Sequence, residues 1–454
     1  MIRSHDLIVT LAAGEAPDHV PSHLDHLIGA ARPATSLDRG DIDRALGVAG
    51  GFRVLGVYGA RAAIGRIGEQ AGARYWNDHE HELGLSRTYQ IEIADPAARH
   101  RVVDRLRALR AVESASVQTL AAAPFAVSLA ATSGAHELAD AAWAPHERIH
   151  APEAHRLEPG DERVTVGLVD TGISLGHPEF QRKLLAGYDT VDLGVDEAVG
   201  LKLVGDSRGL DFTPLDEVGH GSHVGGIVGA TGWEIPPGVA GLSLMLPIRV
   251  LAAALSPGSQ RRIGIGAEAN INCGFKVAVD LGADVLNLSF GTSEHDVDAE
   301  AAKPQAQVVA YAERYGCVLV AASGNSGAAE RFYPAALPEV IAVGSVDAGG
   351  KRSAFSTYGD HVALSAPGEN IVSCGMDGLR EGSGTSYAAP FVTGAAALLV
   401  AHARRRGRTL APREVRELLV STAAPLHAHA HEAGAGLLDV EAALHKLDHE
   451  EAAS

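Results

Sequence analysis

The sequence predicts an α/β protein in which helices cover both faces of a parallel sheet, preceded by a smaller α+β unit. The first observation is a set of short apolar runs without polar alternation, at residues 164–169, 246–250, 285–288, 318–322 and 340–343. Helical patterns at residues 272–281 and 305–315 separate several of these runs. Continuous apolar strands that alternate with helices indicate a parallel sheet buried on both sides. The second observation is the order β-α-β-β-α-β within residues 52–118, which is that of a ferredoxin-like unit.

Local patterns predict each element of the smaller unit in turn. Strands are predicted at residues 52–58, 73–76, 88–93 and 112–117, and the third of these alternates at period two. Helices are predicted at residues 61–70 and 96–109, the second with Pro96 in its first turn. Residues 1–51 are weakly patterned apart from one strand at 6–11, so we interpret them as an N-terminal extension. Residues 119–142 are aperiodic and rich in small residues, which predicts an exposed linker.

Length and composition restrict the class of protein. A chain of 454 residues is expected to form two domains, and 46% hydrophobic residues suit a packed enzyme. The net charge of −18 argues against partners such as nucleic acid or an anionic membrane. No apolar run is long enough for a signal peptide core or a bilayer span, so we expect a cytoplasmic location. The three cysteines have spacings that match neither a disulfide framework nor a metal site, and Cys317 lies in an apolar run that predicts burial.

Asp170 and His220 lie in constrained local sequences. Asp170 follows the apolar run 164–169 and precedes Thr-Gly, so it leaves a buried strand at the sheet edge where ligands bind. Backbone N–H groups can hold a carboxylate ionised there, although an Asp that only forms the turn fits equally well. His220 stands between two glycines at the start of an apolar stretch, where the helix dipole keeps an imidazole neutral and basic. His223 would share its helix face, but no acidic ligand at metal spacing accompanies the pair, so His223 is predicted to be structural.

Ser386 and Asn325 complete a set that can carry out acyl transfer. Small residues precede Ser386 and an apolar helix follows, so its Oγ would project from a first turn whose unpaired N–H groups favour an oxyanion. Asn325 follows the run 318–322, and its amide can donate to the oxygen of a tetrahedral intermediate. A helix cap and a turn residue are the alternative interpretations. A hydroxyl needs a base and an orienting carboxylate to act as a nucleophile, so the three segments together predict peptide-bond hydrolysis.

The motifs resemble those of the subtilisin-like serine proteases (subtilases) from about residue 143 to about residue 444. They are VDTG around Asp170, GHGSHV at His220, GTSYAAP at Ser386, SFG at 289–291, GN at 324–325 and GAGLLD at 434–439. The resemblance implies a subtilisin-like parallel sheet flanked by helices, a triad of Asp170, His220 and Ser386, and an oxyanion hole of the Asn325 amide and the Ser386 N–H. It also implies a polypeptide substrate that is bound by β-augmentation. The implied binding residues are Gly264, Ile265, Gly266, Ser289, Phe290, Gly291, Ser323 and Gly324.

The same resemblance implies a domain plan. Residues 52–118 would be a propeptide-like domain that assists folding and acts as an intramolecular inhibitor. Autocleavage is expected between residues 117 and 143, which include the linker. The peptidase domain would span residues 143–446, followed by a tail at 447–454. The chemistry requires no cofactor and no metal; a structural calcium ion is compatible with the family, but its usual Asn-rich loop is not recognisable in the corresponding residues 230–241.

Several alternatives stay open at this point. The acidic residues Glu294, Asp296, Asp298 and Glu300 favour basic residues upstream of the scissile bond, or form a solvated surface. His427, His429 and His431 are typical of a metal-binding tract or of a polar loop. A non-catalytic binding protein on the same fold, or a processing enzyme dedicated to one partner, would carry the same architecture.

Overall fold

The computed structural model describes residues 3–15, 17–27, 29, 31–63, 76–123, 135–194, 200–208, 211–256, 258, 261–297, 300–426 and 430–452. The described strands are β1 (Arg3–Leu11), β2 (Phe52–Gly56), β3 (Thr88–Ile93), β4 (Val112–Ala122), β5 (Thr165–Asp170), β6 (Tyr188–Asp189), β7 (Lys202–Leu203), β8 (Leu244–Arg249), β9 (Ala252–Leu255), β10 (Arg262–Ala267), β11 (Val285–Leu288), β12 (Thr292–Ser293), β13 (Val318–Ala322), β14 (Phe332–Tyr333), β15 (Val340–Val346), β16 (Val362–Pro367), β17 (Ile371–Cys374) and β18 (Leu379–Gly382). The described α-helices are α1 (His23–Leu27), α2 (Asp41–Leu46), α3 (Asp78–Glu82), α4 (Arg99–Arg107), α5 (Ala135–Ala141), α6 (Trp143–Arg148), α7 (Ala151–Leu157), α8 (His220–Gly229), α9 (Glu268–Asp280), α10 (Lys303–Arg314), α11 (Thr385–Arg405), α12 (Pro412–Ser421), α13 (Ala430–Ala433) and α14 (Val440–Ala452).

The larger unit is built on the predicted parallel sheet. Seven strands lie in the order β16-β15-β13-β11-β5-β8-β6, and every neighbouring pair is parallel. Helices α8 and α11 pack on one face, and α9 and α10 pack on the other. Such a sheet gathers the carboxyl ends of β5, β11 and β13 at one edge. The predicted fold class is therefore confirmed.

Helix α11 is the one described helix that has the length and composition to cross a membrane. It runs through the larger unit, and the apolar window that qualifies it is entirely buried there. Its apolar character is therefore that of a core helix.

The smaller unit has the predicted ferredoxin-like order, but its first strand is a different one. Its sheet runs β2-β3-β1-β4 with antiparallel neighbours, and β1 is a central strand in which Leu7 pairs with both Ile91 and Val117. The boundary predicted between residues 51 and 52 is therefore wrong, because residues 3–11 belong to this sheet. Neighbours in sequence pair more often than distant strands do, and β1 pairs only with strands far along the chain. Of the predicted helix at 61–70, residues 61–63 form one 3₁₀ turn; residues 64–75, including most of the strand predicted at 73–76, lie outside the described residues.

The predicted linker at residues 119–142 and the predicted tail at residues 447–454 contain more regular structure than expected. Residues 119–122 continue β4, and residues 135–141 form α5, in which Leu138 is buried. The exposed linker is therefore wrong at both of its ends, while residues 124–134 lie outside the described residues. The tail predicted at 447–454 is also wrong for its described part, because α14 continues to residue 452 and buries Leu447 completely.

Candidate active site

Three separate segments meet at the carboxyl edge of the parallel sheet. Asp170 is the last residue of β5, His220 is the first residue of α8, and Ser386 is the second residue of α11. Helices α8 and α11 pack against each other, which brings the two helix starts together. An ideal Cβ built on Gly221 would lie 2.0 Å from the Gly172 carbonyl oxygen, so only glycine lets α8 approach the turn after Asp170 this closely.

Asp170 and His220 form a buried pair. Asp170 Oδ1 lies 2.7 Å from His220 Nδ1 and also accepts the Thr171 N–H at 2.7 Å. Both side chains are inaccessible, with exposures of 0% and 1%. A carboxylate at Nδ1 favours the tautomer that carries its proton there, which makes Nε2 the basic nitrogen.

Ser386 lies in the first turn of α11, beside this pair. Its Oγ donates to the Ser289 carbonyl oxygen at 3.3 Å, and the Ser289 hydroxyl donates in return to the Ser386 carbonyl oxygen at 2.9 Å. The Tyr387 ring, on the next residue, lies 5.5 Å from the His220 ring, measured between centroids. The structure therefore brings a hydroxyl, an imidazole and a carboxylate into one buried cluster.

The Asn325 side chain is oriented by the residue before Ser386. Its Oδ1 accepts both the Thr385 N–H and the Thr385 hydroxyl, each at 2.9 Å. With the amide oxygen held there, the Asn325 NH₂ group is directed to the other side, as a donor to an oxyanion must be. The Ser386 N–H belongs to a first helix turn, whose N–H groups are not used by the hydrogen bonds of the helix itself.

Six of the predicted binding residues border an extended segment of the chain itself. Residues 120–122 pair antiparallel with β10, with Ala122 opposite Ile265 and Ala121 opposite Gly266. Ala122 also exchanges two backbone hydrogen bonds with Gly291, at 3.2 and 3.3 Å, and the Ala123 N–H donates to Gly264 at 3.1 Å. Residues 264–266 and 289–291 are therefore two rims with a strand between them.

Ser323 and Gly324 are placed differently. The Ser323 hydroxyl donates to the Thr357 carbonyl oxygen at 2.9 Å, and the Gly324 N–H donates to the Thr385 hydroxyl at 3.2 Å. They lie beside the start of α11, and the described strand 120–123 does not pair with them.

Sequence reasoning missed Asp216. Its Oδ1 accepts the Thr171 hydroxyl and the Gly219 N–H at 2.9 and 2.8 Å, and its Oδ2 accepts the Ser222 N–H and hydroxyl at 2.8 and 2.7 Å. Asp216 thus ties the turn after Asp170 to the start of α8. The only local signal is an Asp four residues before His220, which is indistinguishable from an ordinary turn residue.

His223 and the three cysteines lie in surroundings typical of residues that stabilise the fold. Burial, with help from Arg380 and His220, lowers the pKa of His223 to about 3, and its ring packs edge-on against Tyr387 at 4.1 Å. All three cysteines are buried, as predicted for Cys317. The part of the chain that the structure describes holds no group of three or more His, Cys, Asp or Glu side chains placed to bind a metal.

The structure adds little evidence on two alternatives left open by the sequence, a preference for basic residues at the acidic run 294–300 and metal binding by His427, His429 and His431. Of the acidic residues after the rim, Glu294 accepts the Arg331 N–H at 2.9 Å and Asp298 lies outside the described residues. His431 lies beside Tyr358, and His427 and His429 lie outside the described residues.

Comparison with known proteins identifies a family. Residues 161–437 match the model of the subtilase family, Peptidase_S8. The chain is 35% identical over 283 residues to the thermophilic serine proteinase of Bacillus sp. (strain AK1), an alignment that covers 59% of this chain and 62% of that protein. It is 34% identical over 262 residues to thermitase of Thermoactinomyces vulgaris, covering 57% and 82%. Among solved structures it is similar to a protease from Pseudoalteromonas arctica PAMC 21717, with a TM-score of 0.57 and 25% identity over 68% of this chain and 97% of that one.

Proposed function

Since this chain belongs to the subtilase family of serine endopeptidases, we propose that it hydrolyses polypeptides through an acyl-enzyme on Ser386 and is made as a zymogen that its own N-terminal unit inhibits. The observation that carries the catalytic part is the 2.7 Å pair of Asp170 and His220 beside Ser386 in the first turn of α11.

Each residue of the site has a role in this reaction. Ser386 Oγ attacks the scissile carbonyl carbon while its proton passes to His220 Nε2, and Asp170 stabilises the resulting imidazolium. The Asn325 NH₂ group and the Ser386 N–H bind the tetrahedral oxyanion. The C–N bond then breaks, and His220 returns the proton to the leaving amine. Water, activated by the same imidazole, hydrolyses the ester and restores Ser386.

The strand between the two rims supports inhibition by the N-terminal unit. The first part of β4 pairs with β1 in the N-terminal sheet, and its last residues pair with β10. An extended substrate would use the same backbone groups of residues 264–266 and 289–291. Residues 120–123 already lie along the two rims as a substrate would, so we place the bond that is cut during maturation after Ala123 and before Trp143.

A second contact supports retention of the N-terminal unit. Lys276 of α9 donates to Glu80 at 2.6 Å and to the Gly59 carbonyl oxygen at 2.9 Å, both in the N-terminal unit, and to Asp280 at 2.6 Å within α9. The side chains of Lys276, Glu80 and Asp280 are at most 2% exposed. Removing one partner of such a buried pair costs about 3–5 kcal/mol, because it leaves an uncompensated charge.

Labelling and processing test the catalytic part. We expect a fluorophosphonate probe to modify Ser386 in the processed protein and to modify the full-length chain much more slowly. We expect the Ser386→Ala variant to stay full length, while N-terminal sequencing of the processed wild type should place the cut after Ala123 and before Trp143. Processing that persists in Ser386→Ala would show that another protease makes the cut. Absence of labelling in both forms would favour a non-catalytic binding protein.

A matched pair of variants tests inhibition. In the full-length chain, Lys276→Met should increase the rate of labelling or of self-processing by at least about tenfold, since the buried carboxylates lose their cation. Lys303→Met is the control, because Lys303 pairs with Glu300 at 2.8 Å on the surface, where such pairs are worth about 1 kcal/mol or less. Equal latency of both variants would contradict a role for the Lys276 contact.

A further inference from the structure

Phe332 lies between two glycines that border the reacting residues. An ideal Cβ on Gly291 would lie 2.5 Å from Phe332 Cε1, and one on Gly324 would lie 3.0 Å from Phe332 Cγ. The ring therefore lies against the Cα atoms of both residues. Its backbone is fixed by β14, in which Phe332 pairs with Ser293 of β12.

This space is where the side chain before the scissile bond must go. The strand 120–123 runs antiparallel to the rim 289–291, and Ser386 Oγ contacts the Ser289 carbonyl oxygen. A reacting carbonyl lies between Ser386 Oγ and the Asn325 amide, so the side chain on its acyl side enters between residues 289–291 and residues 323–325. Gly291 and Gly324 belong to these two segments, and Phe332 occupies the gap between them.

The strand that occupies the rims has small side chains. Ala121 and Ala123, which alternate along the strand and share one face, are 6% and 1% exposed and belong to the core cluster of the larger unit. Each of these positions is filled by a methyl group. The occupied subsites therefore match a segment of alanines.

We propose that Phe332 determines specificity by restricting the pocket before the scissile bond to small side chains, so that the peptidase cuts after Gly, Ala or Ser in alanine-rich segments. This inference rests on the proposed peptidase function of the same site. It also differs from the preference for basic residues that the acidic run 294–300 favours, and the same experiment separates the two.

Peptides that differ only in the residue before the scissile bond provide the test. With the processed enzyme, kcat/KM should be at least about tenfold higher for Ala than for Leu, Phe or Arg, since a difference of one methylene in a hydrophobic pocket already changes kcat/KM by roughly 10–200-fold. Phe332→Gly should raise kcat/KM for Leu and Phe by about 10–100-fold relative to that for Ala. Phe332→Leu should give an intermediate ratio.

Two controls make the result decisive. Trp233→Ala removes another large side chain, 78% exposed and beyond the far end of α8, and should leave all ratios unchanged. Fluorophosphonate labelling, which does not depend on that pocket, reports whether each variant has an intact Ser386. A labelled wild type that prefers Leu, Phe or Arg, or a labelled Phe332→Gly with unchanged ratios, would overturn the inference alone. A processed wild type that neither labels nor cleaves would overturn the proposed function and the inference with it.

Discussion

The two ends of helix α8 are held by the same kind of group for different purposes. At its start, buried Asp216 accepts hydrogen bonds from Thr171, Gly219 and Ser222. Beyond its end, buried Glu179 accepts the Thr231 hydroxyl and the N–H groups of residues 232–235 at 2.6–3.2 Å. The first set of donors adjoins Asp170 and His220, whereas the second belongs to a turn away from Ser386. A carboxylate surrounded by N–H groups thus positions the proposed catalytic residues at one end of the helix and stabilises a turn at the other.

The largest effect is expected from Glu179→Gln. The Gln NH₂ group would face N–H donors, so at least two donors would lose their acceptor at a buried oxygen, and the free energy of unfolding should fall by about 2–4 kcal/mol. Denaturant unfolding in the Ser386→Ala background, which prevents self-digestion, measures this. Glu417→Gln, an exposed pair with Arg413, is the control and should cost less than about 1 kcal/mol. A strong loss of kcat in the folded Glu179→Gln enzyme would contradict a purely structural role for Glu179.

Asp216→Asn should act mainly on the reaction. Turning an NH₂ group toward these donors displaces Thr171 or Ser222, so we expect kcat to fall by about 10–100-fold while KM stays within about threefold, as for a group that acts on geometry in the transition state. Steady-state kinetics on a peptide substrate separates kcat from KM. If the variant instead lost stability and kept its kcat, Asp216 would be as purely structural as Glu179.

Acid should reduce the contribution of Glu179. Burial alone would raise its pKa, but the N–H groups of Glu234, Trp233 and Ile235 outweigh burial and lower the pKa below 4.5. A carboxyl group with a lowered pKa in the folded state stabilises the fold above its ordinary pKa, and this contribution is lost as the pH falls through the lowered value. The difference in unfolding free energy between wild type and Glu179→Gln should therefore shrink below about pH 4.5. A difference that grew in acid would contradict this assignment.

The smallest effect is expected from calcium. Residues 230–241 correspond to the calcium loop implied by the family resemblance. The carboxylate that faces this loop is that of Glu179, and both of its oxygens already accept hydrogen bonds from the loop. We therefore expect a chelator, or added calcium, to shift the Tm by less than about 1 °C, since a ligand stabilises only a fold that binds it. A clear decrease in Tm on chelation would show a calcium site elsewhere in the chain.

The sequence predicted the parts of the molecule whose signal is local. Buried parallel strands such as β11 and β13 are continuous apolar runs; Asp170 directly follows such a run, and Asn325 comes three residues after the end of another. Asp216 could not be recognised, because its role depends on two turns that only the fold brings together. Phe332 stands in an aperiodic stretch, and its place between Gly291 and Gly324 depends on three separate segments.

The N-terminal sheet is the clearest example of pairing between distant strands that the sequence does not reveal. Strand β1 is apolar enough to be predicted as a strand, but its partners β3 and β4 lie far along the chain. No local pattern distinguishes a central strand of this kind from an isolated one, so the sequence alone predicts an extension at residues 1–51.

The central position of β1 also bears on how the protein is made. Among the described residues, the core cluster of the N-terminal unit draws on residues 7–117, which leave the ribosome before the peptidase has been translated. At bacterial or eukaryotic elongation rates, the remaining chain takes on the order of tens of seconds to synthesise. Under the proposed function, the inhibitory unit is therefore synthesised in full before Ser386, the nucleophile that it would restrain.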